Sequence, residues 1–88
     1  MKTVLGEEVE APEFLKDAGA EGNAQLVAEA VGVGSEYQVW MEFHRCKFYV
    51  AVAFTPSVSW KVIHTTDEFL GAFALMGYHI QKEIDAEG

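Results

Sequence analysis

The sequence predicts a two-layer α+β domain, in which two helices pack on one face of a three-stranded antiparallel meander in the order α-β-β-β-α. Two patterns carry this prediction: hydrophobic residues alternate with polar ones from Ser35 onward, and they return to a helical spacing after Thr66. Successive strands followed by an amphipathic helix are typical of α+β domains. The chain has 88 residues, enough for one hydrophobic core, so we expect a single domain spanning residues 1–88.

The N-terminal third of the chain carries the weakest structural signals. A proline suits the first turn of a short helix, which we place at Pro12–Asp17 and which the following glycines would end. A second helix is predicted at Ala24–Val31, because Asn23 is a good N-cap residue and Gly32 is a helix stop. Residues 1–22 are otherwise expected to form an irregular N-terminal segment.

Three strands are predicted next, because hydrophobic and polar side chains alternate in each. They run from Glu36 to His44, from Lys47 to Phe54, and from Val58 to Thr65 after the turn residues Thr55-Pro56-Ser57. Short links between them favour an antiparallel meander. The face toward the helices is expected to carry Tyr37, Val39, Met41, Phe43, Phe48, Val50, Val52, Phe54, Trp60 and Val62.

The link between the first two strands is His44-Arg45-Cys46-Lys47, which holds the only cysteine and two of the six basic residues. It contains no Gly or Asn, so we expect a loop of about four residues built around a type I turn. Because it is a basic spot in an acidic chain, we interpret it as a contact loop rather than as a catalytic site.

The clearest helix begins after Thr65-Thr66-Asp67-Glu68, which fits a capping box with Thr65 as the N-cap and Glu68 as the reciprocal acceptor. Apolar residues then recur at steps of three and four, as in an amphipathic helix. They are Phe69, Phe73, Met76, Ile80 and Ile84. Tyr78 lies on the opposite side of this helix, so it is a candidate contact residue.

The second face of the sheet is the first candidate site, because no predicted helix covers it. It would carry Gln38, Trp40, Glu42, His44, Lys47, Tyr49, Ala51, Ala53, Lys61 and Ile63. An exposed face with Trp40 and Tyr49 favours partner binding, since exposed apolar patches usually have a function. Two alternatives remain open: residues 1–22 fold across the face, or the faces of two copies pair.

No catalytic or metal-binding motif is present in the sequence. Zinc or copper would need to recruit Cys46 and the three histidines, but there is no C-x2-C or H-x3-H pair. A Cys46 nucleophile would have cationic neighbours but no oxyanion-hole signature. Gly32-Val33-Gly34 precedes a strand rather than following one, so it does not indicate a phosphate loop. We therefore predict a protein that is not an enzyme and that needs no cofactor or metal.

Charge is the strongest compositional signal. Fourteen acidic side chains against six basic ones give a net charge of −8, which repels nucleic acid and anionic membranes and favours basic partners. No apolar stretch is long enough to cross a bilayer, and the first residues do not form a signal peptide. We therefore expect a cytoplasmic protein with no membrane contact.

The predicted element order resembles that of double-stranded RNA-binding domains, which grip phosphates with a lysine cluster at the start of the last helix. This chain has Thr65-Thr66-Asp67-Glu68 there, and acids at that position repel phosphates. A platform for single-stranded nucleic acid is a third interpretation of the open sheet face. It would use Trp40, Tyr49, Arg45, Lys47 and Lys61, and the net charge opposes it.

The leading functional prediction is a small non-catalytic protein, an inhibitor or adaptor that docks on a partner protein with a basic surface. In size and charge it is similar to phage-encoded inhibitors of host defence, which implies that its acids occupy a basic nucleic-acid-binding groove. The acidic surface would be formed by Glu7, Glu8, Glu10, Glu13, Asp17, Glu21, Glu83, Asp85 and Glu87. The partner-binding residues would be Trp40, Glu42, His44, Arg45, Lys47, Tyr49, Lys61 and Tyr78. The alternative is a homo-oligomeric structural or regulatory subunit that pairs through the open sheet face.

Overall fold

The computed structural model describes the backbone of residues 2–3 and all of residues 6–56 and 59–87. Its strands and helices, in chain order, are β1 (Lys2–Thr3), β2 (Val9–Glu10), α1 (Glu13–Lys16), β3 (Asn23–Val31), β4 (Ser35–Glu42), β5 (Lys47–Phe54), β6 (Lys61–Thr66) and α2 (Phe69–Glu87). The strands form one open antiparallel sheet in the order β1-β3-β4-β5-β6, and β2 also pairs with β3. The predicted α+β class is therefore confirmed.

The meander β4-β5-β6 and the C-terminal helix form as the sequence predicts, and α1 lies inside the predicted helix Pro12–Asp17. The start of α2 differs, because β6 continues through Thr65 and Thr66. The hydroxyl of Thr66 accepts a hydrogen bond from the Glu68 N–H at 3.3 Å. Thr66, rather than the predicted Thr65, therefore provides the side-chain hydrogen bond just before the helix.

The prediction of a helix over Ala24–Val31 is wrong, because this segment is the strand β3. A helix of two turns gains little by itself, whereas β3 pairs with β4 on one edge and with β1 and β2 on the other. The alanines of β3 are buried on both faces of the sheet: Ala24, Ala28 and Ala30 are 0%, 0% and 6% exposed. Tertiary pairing thus overrides the local helix propensity, and the element order is not α-β-β-β-α.

A register shift in β6 inverts the predicted faces of that strand. Val50 pairs with His64 but Ala51 pairs with Val62, so Ile63 is an extra residue in β6. An extra residue reverses the alternation of side chains, because successive residues of a strand point to opposite faces. Ile63 and His64 therefore lie on the α2 side, whereas Val62 packs on the α1 side.

Hydrophobic side chains are buried on both faces of the sheet, so α1 and α2 lie on opposite faces rather than on the same one. Between the sheet and α2 the buried residues are Val27, Ala28, Ala30, Tyr37, Val39, Val50, Val52, Ala72 and Met76. On the opposite face they are Ala11, Leu15, Ala20, Ala24 and Tyr49. The N-terminal segment covers this second face because an aromatic sheet surface is more stable when it is removed from water.

Three residues predicted to be buried are exposed at the ends of their elements. Phe43, Phe54 and Ile84 have exposed fractions of 39%, 59% and 48%. Phe43 belongs to the turn Phe43–Cys46 between β4 and β5, so the four-residue loop has the predicted length but begins one residue earlier.

The turn predicted at Thr55-Pro56-Ser57 is described in part. Thr55 and Pro56 are turn residues joined by a cis peptide bond, whereas Ser57 and Val58 lie outside the described residues. Within the described ranges, no helix combines the length and the apolar character needed to cross a membrane.

Candidate functional site

Four of the ten residues predicted on the open face are buried: Glu42, Tyr49, Ala51 and Ala53. Tyr49 and Glu42, both predicted to contact a partner, are 1% and 0% exposed. The cause is the N-terminal segment, which brings Leu15 and its neighbours onto this face. The prediction that Tyr49 and Glu42 contact a partner is therefore wrong. Over this part of the face the N-terminal segment folds across the sheet, which is one of the two alternatives that the sequence left open.

The buried Glu42 side chain joins three parts of the chain. Its carboxylate accepts the backbone N–H of Glu21 at 2.6 Å and that of Arg45 at 2.8 Å. The Tyr49 hydroxyl donates to the same carboxylate at 3.3 Å. Burial raises the pKa of Tyr49, and the negative charge of Glu42 raises it further, so this hydroxyl stays protonated as a donor. Glu42 is therefore a structural anchor between the N-terminal segment and the β4–β5 turn.

The basic residues around the β4–β5 turn contact acids of the same chain. The imidazole of His44 lies 3.3 Å from the Glu21 carboxylate, and the Arg45 guanidinium lies 3.5 Å from it. The Lys47 ammonium lies 3.0 Å from Asp67. Because these pairs are exposed, each contributes little stability, and His44 and Arg45 stay accessible. Neighbouring acids nevertheless reduce the positive potential that the sequence places at this loop.

Replacing Cys46 with glycine is expected to stabilise the protein by about 0.5–1 kcal/mol. Cys46 is exposed and has a φ of 55°, in the left-handed region that favours glycine. The gain would appear as a higher urea midpoint at unchanged slope. Cys46→Ala is the matched control, because it removes the thiol but keeps the Cβ; equal midpoints for the two variants would contradict the backbone explanation.

Two concavities meet at Trp60 on the part of the face that stays open. One has a volume of about 360 Å³ and the other of about 270 Å³. We call them together the Trp60 groove. Its lining residues are Phe14, Asp17, Ala18, Glu29, Ala30, Val31, Glu36, Tyr37, Gln38, Trp60, Lys61 and Val62.

An aromatic row holds Trp60 in place. Its indole stacks on Phe14 with ring centres 6.1 Å apart, and Phe14 meets Trp40 edge to face, also at 6.1 Å. The Trp40 indole N–H donates to the Gln38 amide oxygen at 2.8 Å, which fixes the other end of the row. Trp60 is half-buried, so it presents a rigid aromatic surface to both concavities. Such residues are frequent centres of binding energy at protein interfaces.

The Trp60 groove has more negative than positive charge. Carboxylates of Glu29 and Glu36 line one concavity and that of Asp17 lines the other, whereas Lys61 is the cation among the described lining residues. Glu36 and Asp17 are exposed, and no described cation forms an ion pair with either. A cation placed beside the indole would meet both a carboxylate and the aromatic face.

The predicted acidic surface is mixed. Glu7, Glu13, Asp17, Asp85 and Glu87 are exposed, and Asp85 accepts the Gln81 amide at 3.0 Å. Three other predicted acids have partners within the chain, because Glu8 accepts the Asn23 amide, Glu10 pairs with Lys16, and Glu21 faces the β4–β5 turn. The N-terminal segment therefore keeps most of its predicted acids at the surface, several of them already engaged.

Glu83 does not belong to the acidic surface. It is half-buried, and it accepts hydrogen bonds from the Ser35 hydroxyl at 2.6 Å and from the Tyr37 hydroxyl. Burial would raise the pKa of Glu83, but the hydrogen bonds from Ser35, Tyr37 and the Val33 backbone outweigh it and lower that pKa below its usual range. Burial, followed by the bond to Glu83, raises the pKa of Tyr37 to about 12. Glu83 therefore ties α2 to β4.

Tyr78 lies at the surface, where the sequence places it. Its side chain is 57% exposed, and the Lys82 ammonium lies 5.4 Å from its ring centre. Leu70, two helical turns earlier, is 77% exposed. Together with Ala74 these side chains form an exposed stripe along α2, on the opposite face of the molecule from α1. Tyr78 is therefore remote from the other predicted contact residues.

Sequence patterns did not indicate Trp60 as a contact residue, because the assumed strand alternation placed it in the core. Nor did they bring together His64 and His79, whose Nε2 atoms lie 2.8 Å apart. Within the described part of the chain, no group of three or more His, Cys, Asp or Glu side chains is arranged to hold a metal ion. Cys46 and His44 belong to the β4–β5 turn, away from the histidine pair.

Comparison with known proteins adds no relative. No protein-family model, no curated protein and no solved structure matches the chain.

Proposed function

We propose that the protein is a non-catalytic interaction module, an inhibitor or adaptor, that binds a partner protein with a basic surface through the Trp60 groove. The observation that carries this proposal is the position of Trp60, a half-buried indole shared by two concavities with carboxylates on both sides. A lysine or arginine side chain of the partner would stack on the indole and pair with Glu36 or Asp17.

The charge balance of the whole chain supports a basic partner. Fourteen acids face six basic residues, and Lys16, Arg45 and Lys47 each lie beside an acid of the same chain. The surface therefore attracts cations over a long range, which raises the rate of encounter with a basic protein. A basic groove that normally holds nucleic acid is one such surface, and occupying it would make the protein a competitive inhibitor of the anti-defence kind.

The positions of the aromatic residues argue against the third interpretation, a platform for single-stranded nucleic acid. Tyr49 is 1% exposed and cannot stack on a base, and Trp40 is already engaged with Phe14 and Gln38. Two copies could pair through the sheet face only over a reduced area, because the N-terminal segment covers part of that face. These placements favour the Trp60 groove over both alternatives.

Trp60→Ala is expected to weaken binding to the partner about 30-fold, as removal of a hot-spot residue worth about 2 kcal/mol does. The partner is first captured with the wild-type protein, and its dissociation constant is then measured for each purified variant at low and high salt. Glu36→Gln should weaken binding less and should reduce the dependence of affinity on salt.

Leu70→Ala is the matched control for this measurement, because Leu70 is an exposed apolar residue of α2, on the other side of the sheet from the groove. It should leave the dissociation constant unchanged. A partner that binds Trp60→Ala and Glu36→Gln with wild-type affinity would exclude the groove as its binding site.

A further inference from the structure

The side chains of His64 and His79 meet end to end between the sheet and α2. Their Nε2 atoms are 2.8 Å apart, a hydrogen-bond distance, and their ring centres are 5.0 Å apart. The distance between the ring centres exceeds the distance between the Nε2 atoms by about two ring radii, so each Nε2 atom lies nearly on the line that joins the two centres. The N–H of one ring therefore points at the lone pair of the other. One imidazole therefore donates from Nε2 and the other accepts, and each must hold a defined tautomer.

This contact joins two elements that are distant in sequence. His64 lies in β6, where the extra residue Ile63 turns it toward α2. His79 lies in the middle of α2, between Met76 and Ile80, which pack on the sheet. The histidine hydrogen bond therefore connects the middle of α2 to β6. One helical turn after His79, the hydrogen bonds of Glu83 with Ser35 and Tyr37 connect α2 to β4.

We propose that His64 and His79 form a proton-dependent latch, which holds α2 on the sheet at neutral pH and loosens the C-terminal half of α2 in mild acid. With no added proton the pair has one donor and one acceptor. When both imidazoles are protonated, both nitrogens are donors and two positive charges face each other across the same gap. The hydrogen bond is then replaced by repulsion.

The surroundings of the pair oppose the second proton. Burial lowers the pKa of His79, the charges of His64 and Lys82 lower it further, and Glu83 acts in the opposite direction. The other groups that face the pair are the rings of Tyr37 on β4 and Tyr78 on α2. The latch is therefore flanked by one cation and one carboxylate, both on α2.

The direction of the pH effect follows from this lowered pKa. Below the ordinary histidine pKa of about 6.5, the released state of α2 binds more protons than the packed state. The contribution of the latch to the stability of the packed helix is complete above about pH 6.5. It is lost as the pH falls through that value toward the lower pKa that His79 has in the packed state. The Glu83 carboxylate has a lowered pKa and stays ionised throughout this range, so it does not produce the effect.

Amide hydrogen exchange of α2 at pH 7.5 and pH 5.5 tests the latch in the full-length protein. After correction for the intrinsic rates, protection of the amides around and after Met76 should fall severalfold at the lower pH, up to a limit of about tenfold, while β5 amides keep their protection. Unchanged protection of α2 in the wild-type protein would overturn the proposal.

Three histidine variants make the test specific. His79→Gln and His64→Gln each remove one imidazole of the pair and should abolish the difference between the two pH values, and the second variant leaves the helix sequence intact. His44→Gln is the control, because His44 is an exposed turn residue beside Glu21, and it should keep the wild-type response. A response that persists in both pair variants, or that disappears in His44→Gln, would contradict the latch.

Discussion

Replacing Glu42 with alanine is expected to lower the free energy of unfolding by about 3 kcal/mol. The substitution leaves the N–H groups of Glu21 and Arg45 and the hydroxyl of Tyr49 without their acceptor. Each buried polar group that loses its partner costs about 1–3 kcal/mol, less where water can reach it. The sum is a large part of the stability of a small domain.

Urea unfolding followed by circular dichroism measures this loss, and the melting temperature should fall by about 15 °C. Glu42→Gln keeps one acceptor oxygen and should lose less than Glu42→Ala. The exposed Glu7 offers a matched control, since Glu7→Ala should stay within about 0.5 kcal/mol of the wild-type value. A loss below about 1 kcal/mol for Glu42→Ala would show that the carboxylate does not anchor the turn.

Replacing Leu15 with alanine should also lower the free energy of unfolding by about 3 kcal/mol, within the range of about 2–5 kcal/mol for buried leucines. Leu15 is 0% exposed and packs with Ala11, Ala20 and Tyr49, so its removal leaves a cavity beneath the N-terminal segment. The neighbouring Lys16 points outward toward Glu10, which makes Lys16→Ala the control, with a change below about 1 kcal/mol.

The Leu15 variant tests whether the N-terminal segment is part of the cooperative core. A single transition with a lower midpoint and an unchanged slope is the expected result. A wild-type midpoint would mean that the segment does not stabilise the sheet. Two separate transitions would mean that it unfolds on its own, which would also contradict its place in the core.

Local patterns were sufficient where the apolar period agreed with the final packing. In β4 and β5, Tyr37, Val39, Val50 and Val52 alternate with polar or small residues, and all four are buried beneath α2. The helical spacing after Thr66 likewise predicted α2, because its inward residues have one sheet to pack on. In these elements each residue's local preference and its tertiary contacts favour the same conformation.

Local patterns failed where pairing partners decided the outcome. The sequence of β3 has small and apolar residues that suit a short helix as well as a strand, and only the neighbouring β4 makes the strand more stable. The extra residue Ile63 has no signature in the sequence, yet it decides that Val62 packs on the α1 side and His64 on the α2 side. Both the Trp60 groove and the histidine latch depend on that residue.

The sequence by itself determined the α+β class, the meander, the C-terminal helix and the net negative charge, because periodicity and net charge are local or additive properties. Only the tertiary structure decided that Glu42 and Tyr49 are buried, that Trp60 lines a groove and that two histidines meet. Those outcomes depend on strand register and on where the N-terminal segment lies. Both are set by the burial of side chains distant in sequence, and a window of neighbouring residues does not contain that information.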